Sequence, residues 1–273
     1  MRFVKGHGTE NDFVILPDPD GSLDLRPETV AALCDRRAGV GADGVLRVVR
    51  TKAAGDPAAE ELADAAEWFM DYRNADGSVA EMCGNGVRVF ARYLVDAGLA
   101  APGEWDVATR AGLRRVTLGP SGDVGVDMGL PVVQGEAGAT VGGIEYPGLR
   151  VSMGNPHLAC PVDRPVRELD LTRPPAVDPA VFPEGVNVEL FRVLGERHVE
   201  MRVHERGSGE TRSCGTGAVA AAVAAAGGAD RAGEWTVDVP GGRVTVTFDG
   251  RTSHLRGPAV LVAEGRIRDD WLR

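Results

Sequence analysis

Apolar and polar residues alternate along much of this chain, more often with period two than with helical spacing. "RVTLGPSGDVGVDMG" reads as strand, turn, strand. "NVELFRVLGERHVEMRVHE" reads the same way, with its reversal near Gly195-Glu196. "WTVDVPGGRVTVTFDG" is a third hairpin, turning at Pro240-Gly241-Gly242. Successive strand side chains point to opposite faces, so these segments predict antiparallel sheet. Helical spacing is rarer. "RPETVAALCDRRAG" predicts a helix stopped by Gly39, with Cys34 as a small core residue. The run after Cys83 puts Val87, Phe90, Ala91 and Leu94 on one face, leaves Arg88 and Arg92 off it, and ends near Gly98. The run after Cys214 is small and apolar on all sides up to Gly227-Gly228, so it must be enclosed on every side. A helix wrapped by antiparallel sheet meets that demand. "KAAGDPAAEELADAAEW", between expected strands "VLRVVR" and "EWFMDYR", is Ala-rich and acidic. It predicts a partly helical surface insertion with no functional role.

The pattern repeats once. "RNADGSVAEMCGNG" parallels "ERGSGETRSCGTG": a polar turn, a spacer, a cysteine, two glycines around a polar residue, then a helix. "HGTENDFVIL" loosely parallels "SMGNPHLACP" through Asn11 and Asn155. The cysteines are 131 positions apart and the asparagines 144. That is too long for a solenoid repeat and predicts two homologous halves facing each other.

Composition narrows the function. The 273 residues suffice for one large domain or two ordinary ones. With 43% hydrophobic and 26% charged residues, a packed core is expected and global disorder is not. A net charge of −10 argues against a nucleic-acid groove or an anionic membrane surface, while leaving room for a local anion pocket. The four cysteines, Cys34, Cys83, Cys160 and Cys214, include no Cys-x-x-Cys pair of the zinc or thioredoxin kind. "MRFVKGHGTENDF" lacks the apolar stretch of a signal peptide, and the run Ala218 to Ala226 is too short to span a bilayer. The expectation is a soluble cytoplasmic protein with reduced thiols.

Two cysteines at helix N-termini suggest acid–base chemistry. A helix N-terminus offers unpaired N–H groups and partial positive charge. A thiol there can be lowered from about 8.5 into a range of roughly 3.5–7.5. The following glycines let an anion approach the N–H groups. Two such halves facing each other can share one carboxylate and place a sulfur on each side of the carbon bearing it. One thiolate then removes the α-proton while the opposite thiol returns one to the other face. The N–H donors meet the charge that develops on the carboxylate. The pair must hold one thiolate and one thiol, titrating together. His157 in "GNPH" and Glu205 in "HERG" are candidates to tune it.

"DYRNADGSVAEMCGNGVRVFARYL", "MGNPH" and "HERGSGETRSCGTGA", with "KGHGTENDFVI" and "RRAGVGADGVL", closely resemble the diaminopimelate epimerase family over nearly the whole chain. The resemblance implies a cofactor-independent, metal-free epimerase acting on LL-diaminopimelate to give the meso form, in lysine and peptidoglycan-precursor synthesis. It implies an α+β fold of two pseudo-symmetric domains, each a largely antiparallel sheet wrapped around a central helix. The expected division is 1–127 with Cys83, completed by 261–273, and 128–260 with Cys214, the active site lying in the cleft between them. By resemblance Cys83 and Cys214 are the acid and base. Gly84, Asn85, Gly215 and Thr216 hold the reacting carboxylate. Asn11, Asn74, Asn155, Asn187 and Arg206 hold the distal end, and His157 and Glu205 modulate the thiols. Arg206 can clamp the distal carboxylate bidentately. The partner is then a small molecule, with neither nucleic acid nor membrane, and a homodimer is the assembly carried forward.

Some positions depart from the family. Many members have glutamine where Gly44 stands, and apolar residues near Gly6-His7, so His7 reads as a surface or loop histidine. The 51–68 insertion is long. Among alternatives, "GVGADG" follows a helix and precedes a strand, the reverse of a dinucleotide-binding context. A two-thiol proline or hydroxyproline racemase would not need Arg206 and the asparagines. A related isomerase lacking one thiol is excluded by the presence of both. A thiol-redox or metal-binding protein, or a non-catalytic binding module, would leave the paired cysteine contexts unexplained.

Overall fold

The computed structural model of the chain describes residues 1–119, 122–229, 231, 233–268 and 270–271. The chain begins with β1 (Arg2–Gly8), β2 (Asn11–Pro17), α1 (Pro27–Cys34), β3 (Gly44–Arg50), α2 (Pro57–Glu61) and β4 (Trp68–Asn74). There follow α3 (Gly84–Asp96), β5 (Gly103–Thr109), β6 (Gly112–Leu118) and β7 (Val124–Gly129). Next come β8 (Val132–Val141), β9 (Ile144–Ser152), β10 (Pro156–Pro161), β11 (Ala176–Val177), β12 (Asn187–Gly195), β13 (His198–Glu205) and β14 (Gly209–Thr211). The last are α4 (Gly215–Ala226), β15 (Gly233–Val239), β16 (Gly242–Phe248), β17 (Ser253–Gly257) and β18 (Val260–Arg266).

These elements form two units, Met1–Val126 with Pro258–Arg273, and Asp127–Gly257. In the first unit the strands pair in the order β18-β1-β2-β3-β4-β5-β6-β7. In the second the order is β8-β9-β10-β12-β13-β15-β16-β17. Both run through the same series of pairings: antiparallel, antiparallel, parallel, antiparallel, parallel, antiparallel, antiparallel. The weak repeat in the sequence is thus a full repeat of strand topology. The expected α+β architecture is what the chain adopts, a sheet around a central helix in each unit.

Each sheet wraps its helix. In the first unit α3 packs against β1, β2, β3, β4, β6 and β18. In the second, α4 packs against β9, β10, β12, β13, β15, β16 and β17. Because α4 is built from Ala and Val, strands approach it from every direction and bury Ala218 through Val223. It ends at Gly227, whose φ of 76° is the left-handed conformation that frees the chain to turn back.

Four expectations need correction. Arg88 does not lie on a solvent face: it is 0% exposed, in the N-terminal part of α3, which is buried from Gly84 to Ala91. The α1 helix stops at Cys34 rather than Gly39. Asp35 turns to ψ 122°, and its carboxylate accepts from the Arg37 and Ala38 N–H groups at 2.7 Å each. The acidic insertion is packed rather than merely solvated: Ala54, Ala59 and Ala66 join Val49, Phe69 and Ala108 in a buried cluster. His7 lies in strand β1, and its Nδ1 accepts from the Glu10 N–H at 3.2 Å. Of the turn expected between β6 and β7, Pro120 and Ser121 lie outside the described residues. Among the described residues, no helix is long and apolar enough to cross a membrane.

Candidate active site

In the first unit, Cys83 is the N-cap of α3. Its backbone is extended (φ −140°, ψ 119°), and its Sγ accepts from the Gly86 N–H at 3.4 Å. Gly84 and Asn85 form the first turn of that helix, both buried. Asn11 begins β2, directly after Thr9 and Glu10, which hold left-handed φ values of 49° and 61°. That tight turn delivers the Asn11 side chain to the helix terminus. Its Oδ1 accepts from the Asn85 Nδ2 at 3.2 Å and faces the Cys83 Sγ at 3.6 Å, while its Nδ2 donates to Asp43 at 2.8 Å. Asn74 closes β4 and donates to the Ser78 hydroxyl at 3.0 Å.

Gly44 has no room for the family glutamine. A Cβ there would lie 2.5 Å from the Arg73 carbonyl and 2.7 Å from the Tyr72 ring. Arg88, five residues into the chain from Cys83, donates to the Thr9 hydroxyl at 3.1 Å; its Nε and Nη1 have no hydrogen-bond partner among the described residues. Burial lowers this guanidinium to about 10, and nearby Cys83 and Asp123 pull the other way.

The second unit repeats the cap. Cys214 precedes α4 with φ −122° and ψ 118°, and its Sγ accepts from the Gly217 N–H at 3.4 Å. The Thr216 hydroxyl stands 3.5 Å from the same sulfur, and Gly215 opens the helix. His157 enters from β10, fully enclosed, with Nδ1 2.7 Å from Glu189 Oε1 and Nε2 3.1 Å from Asn155 Oδ1. Glu205 ends β13 and accepts from the Thr211 hydroxyl at 2.5 Å. Asn187 is committed to the backbone: its Nδ2 donates to the Pro156 carbonyl at 3.1 Å and its Oδ1 accepts from the Arg206 N–H at 2.9 Å. It therefore positions Arg206. The Arg206 side chain is exposed.

Electrostatics separate the second unit from the simple helix-terminus expectation. Burial pushes the Cys214 thiol well above its ordinary range, and the Glu205 and Glu189 carboxyls push it further. The Thr216 hydroxyl and the Gly217 N–H oppose this and are outweighed. Burial also raises Glu205, with Glu189 adding to the effect, while Thr211, His157 and Cys214 act against it. Glu189 is raised by burial against the pull of His157. Cys34 and Cys160 are pushed up to about 11 and about 12, chiefly by burial, and are inert core thiols.

Sequence reasoning missed three residues. Asp43 orients Asn11, Arg88 is buried in α3 with its guanidinium on Thr9, and Glu189 underlies the Cys214 turn. The signal for Glu189 was a lone acid inside the otherwise apolar strand start "NVELF". Among the described residues, no three or more His, Cys, Asp or Glu side chains are grouped to hold a metal ion.

Comparisons with known proteins identify the family and the fold. The sequence matches the family described as diaminopimelate epimerase over residues 3–134 and 149–265. The diaminopimelate epimerase of Thermobifida fusca (strain YX) is 61% identical, covering 100% of both chains. That of Streptomyces coelicolor is 56% identical, covering 100% of this chain and 97% of its own. A solved Bacillus anthracis phenazine biosynthesis protein of the PhzF family superposes with a TM-score of 0.71 at 18% identity, covering 98% of this chain and 99% of its own. A hydroxyproline epimerase from Agrobacterium vitis gives 0.65 at 15% identity, covering 97% and 91%. The two structures establish the fold alone. The sequence matches, together with cysteine caps that recur at equivalent places in both units, show that the chain belongs to the diaminopimelate epimerase family.

Proposed function

We propose that this protein interconverts LL- and meso-diaminopimelate by a two-base mechanism, with Cys83 and Cys214 as the acid and base. The observation that carries the reading is the identity of the two caps. Each cysteine precedes the central helix of its unit, and each sulfur accepts the N–H three residues on at 3.4 Å. The reading requires one substrate to reach both sulfurs. The N–H groups of Gly84-Asn85 and Gly215-Thr216 receive the reacting carboxylate, where helix dipoles favour negative charge. One sulfur takes the α-proton and the other delivers a proton to the opposite face, so the stereocentre inverts and the cysteines exchange roles.

The exposed Arg206 guanidinium receives the distal carboxylate, with Asn11, Asn74 and Asn155 lining the distal end and Asn187 holding Arg206 in place. A substrate lacking that end would leave these polar groups unsatisfied, which supports diaminopimelate over proline-type substrates. Glu205 and His157 set the protonation of Cys214. The reaction draws on no cofactor or metal, and its products feed lysine and peptidoglycan precursors. The cytoplasm keeps the thiols reduced. Assembly as a homodimer belongs to the same reading and is checked by light scattering.

The test is NMR of LL-diaminopimelate with the purified protein in deuterated buffer. The expected result is deuterium at the α-carbon together with conversion to the meso form. Folded protein that exchanges no α-proton overturns the reading.

A further inference from the structure

The strand register lines up the two halves residue by residue. Phe13 pairs with Gly44 where β2 meets β3, and His157 pairs with Asn187 where β10 meets β12. Two residues further along the second strand stand Leu46 in the first unit and Glu189 in the second. Both pack beneath the first turn of a cysteine-capped helix. A Cβ added to Gly86 would meet Leu46 Cδ2 at 3.3 Å and Phe13 Cζ at 3.6 Å. A Cβ added to Gly217 would meet Glu189 Oε1 at 2.6 Å. The floor under the helix is therefore an apolar Phe–Leu pair in one half and an imidazole–carboxyl pair in the other.

Folding does not require the polar version, since the first unit builds the same topology without it. A carboxyl buried to 0% exposure, with Oε2 lacking any hydrogen-bond partner among the described residues, costs stability. Something other than packing must account for it.

We infer that Glu189 is a positioning residue of the reaction: it shares one proton with His157 beneath the Cys214 turn and fixes the imidazole between itself and Asn155. This rests on the two-cysteine reading above. While the shared proton is present the pair has no net charge, whichever partner holds it. The titratable groups facing Glu189 are His157 from β10, Glu205 from β13, and Cys214 at the cap of α4. Loss of the shared proton would put a bare negative charge beside Glu205 and Cys214. That charge would oppose the thiolate Cys214 must become when it gives its proton to the substrate. The neutral floor is what allows Cys214 to act as the acid.

The experiment compares wild type with Glu189→Gln and with the double variant His157→Phe/Glu189→Leu, which copies the Phe13–Leu46 floor. The double variant should fold and melt at or above the wild-type temperature, while kcat/KM falls roughly 10–100-fold, the range seen when carboxylates orienting metal-bound imidazoles are removed. Glu189→Gln cannot share a carboxyl proton. Its amide stays neutral at every pH, so the high-pH limb of kcat/KM should move toward higher pH, and the His157 ring nitrogen shifts should change in NMR. A Gln variant with wild-type pH profile and ring shifts overturns the inference, even if its rate falls, because packing alone would explain that. A double variant that fails to fold overturns it as well. If Cys83→Ala and Cys214→Ala remain fully active, the two-cysteine reading fails, while the ring shifts still decide whether the proton is shared.

Discussion

The side-chain amide of Asn11 donates to Asp43 at 2.8 Å, which leaves the Asn11 carbonyl as the end that faces Cys83. Asp43 thus decides which end of the Asn11 amide the thiol meets. Asp43→Ala should let the amide rotate and lower kcat/KM roughly tenfold, about the worth of one hydrogen bond to a charged group. The fold should persist, because Arg36 keeps its contacts to Asp12 at 2.7 and 3.1 Å. Steady-state kinetics with a thermal melt check this; unchanged kinetics would show that other contacts hold Asn11.

The four thiols should react in a definite order. Cys83 is half-buried, whereas Cys34, Cys160 and Cys214 are 5%, 0% and 7% exposed. The latter three are also pushed upward, chiefly by burial. Iodoacetamide at neutral pH should label Cys83 first, and one label per chain should abolish epimerisation. Peptide mass spectrometry reads the site. Cys83→Ala and Cys214→Ala should each lose on the order of 10²–10⁴ in rate with the melting temperature nearly unchanged, since each removes one acid–base group.

The parts of this site that were legible in the sequence are those governed by local rules. A cysteine followed by two glycines and a helical run is a helix cap wherever it occurs, and the structure has both Cys83 and Cys214 as caps. The hairpins β12–β13 and β15–β16 follow from alternation and turn residues alone. What was not legible depends on the neighbours. Arg88 was placed off the apolar face because a helical projection assumes one side in water along its whole length, and α3 is buried all round from Gly84 to Ala91. A thiol at a helix N-terminus can be lowered, but burial raises Cys214, and Glu205 and Glu189 add to this from strands distant in sequence. Comparing the halves by register, Leu46 against Glu189, is the step that would have exposed the second carboxyl.

Stability should fall in acid for a specific reason. Asp71 is nearly inaccessible, 2.7 Å from Arg73 Nε and 2.6 Å from Arg110 Nη2. Burial alone would raise its carboxyl, but these two partners outweigh burial and hold it low. Asp12 is held at about 2 in the same way by Arg36 and Lys5, again against burial. A carboxylate depressed in the folded state stabilises it above the unfolded value of about 3.9, and that stability is lost as pH falls through the folded value. Melts should therefore weaken below about pH 4. Glu189 and Glu205 work oppositely: raised in the folded state, they stabilise it below the unfolded value and lose that contribution as pH rises through the folded one. Asp71→Asn should cost about 3–5 kcal/mol, because it takes the counter-charge from Arg73 and leaves Arg110 with Asp56 alone. A variant as stable as wild type across this pH range would show that the arginines find other partners.

Alanine at the two helix-turn glycines should separate the halves. At Gly86 the new methyl meets Leu46 Cδ2 at 3.3 Å and Cys83 Cβ at 3.4 Å, contacts that a small shift relieves. The helix gains roughly 1 kcal/mol from Gly→Ala, so Gly86→Ala should be near neutral in stability. At Gly217 the methyl falls 2.6 Å from Glu189 Oε1, an oxygen already engaged by His157 at 2.7 Å within a closed interior. Relief there means breaking that contact. Gly217→Ala should lose about 1–3 kcal/mol despite the helical gain, and the His157 ring signals should move with it. The two melts, taken side by side, decide the matter. Equal tolerance at both glycines would mean that Glu189 is free to leave His157, and that the polar floor of the second half is no more constrained than the apolar floor of the first.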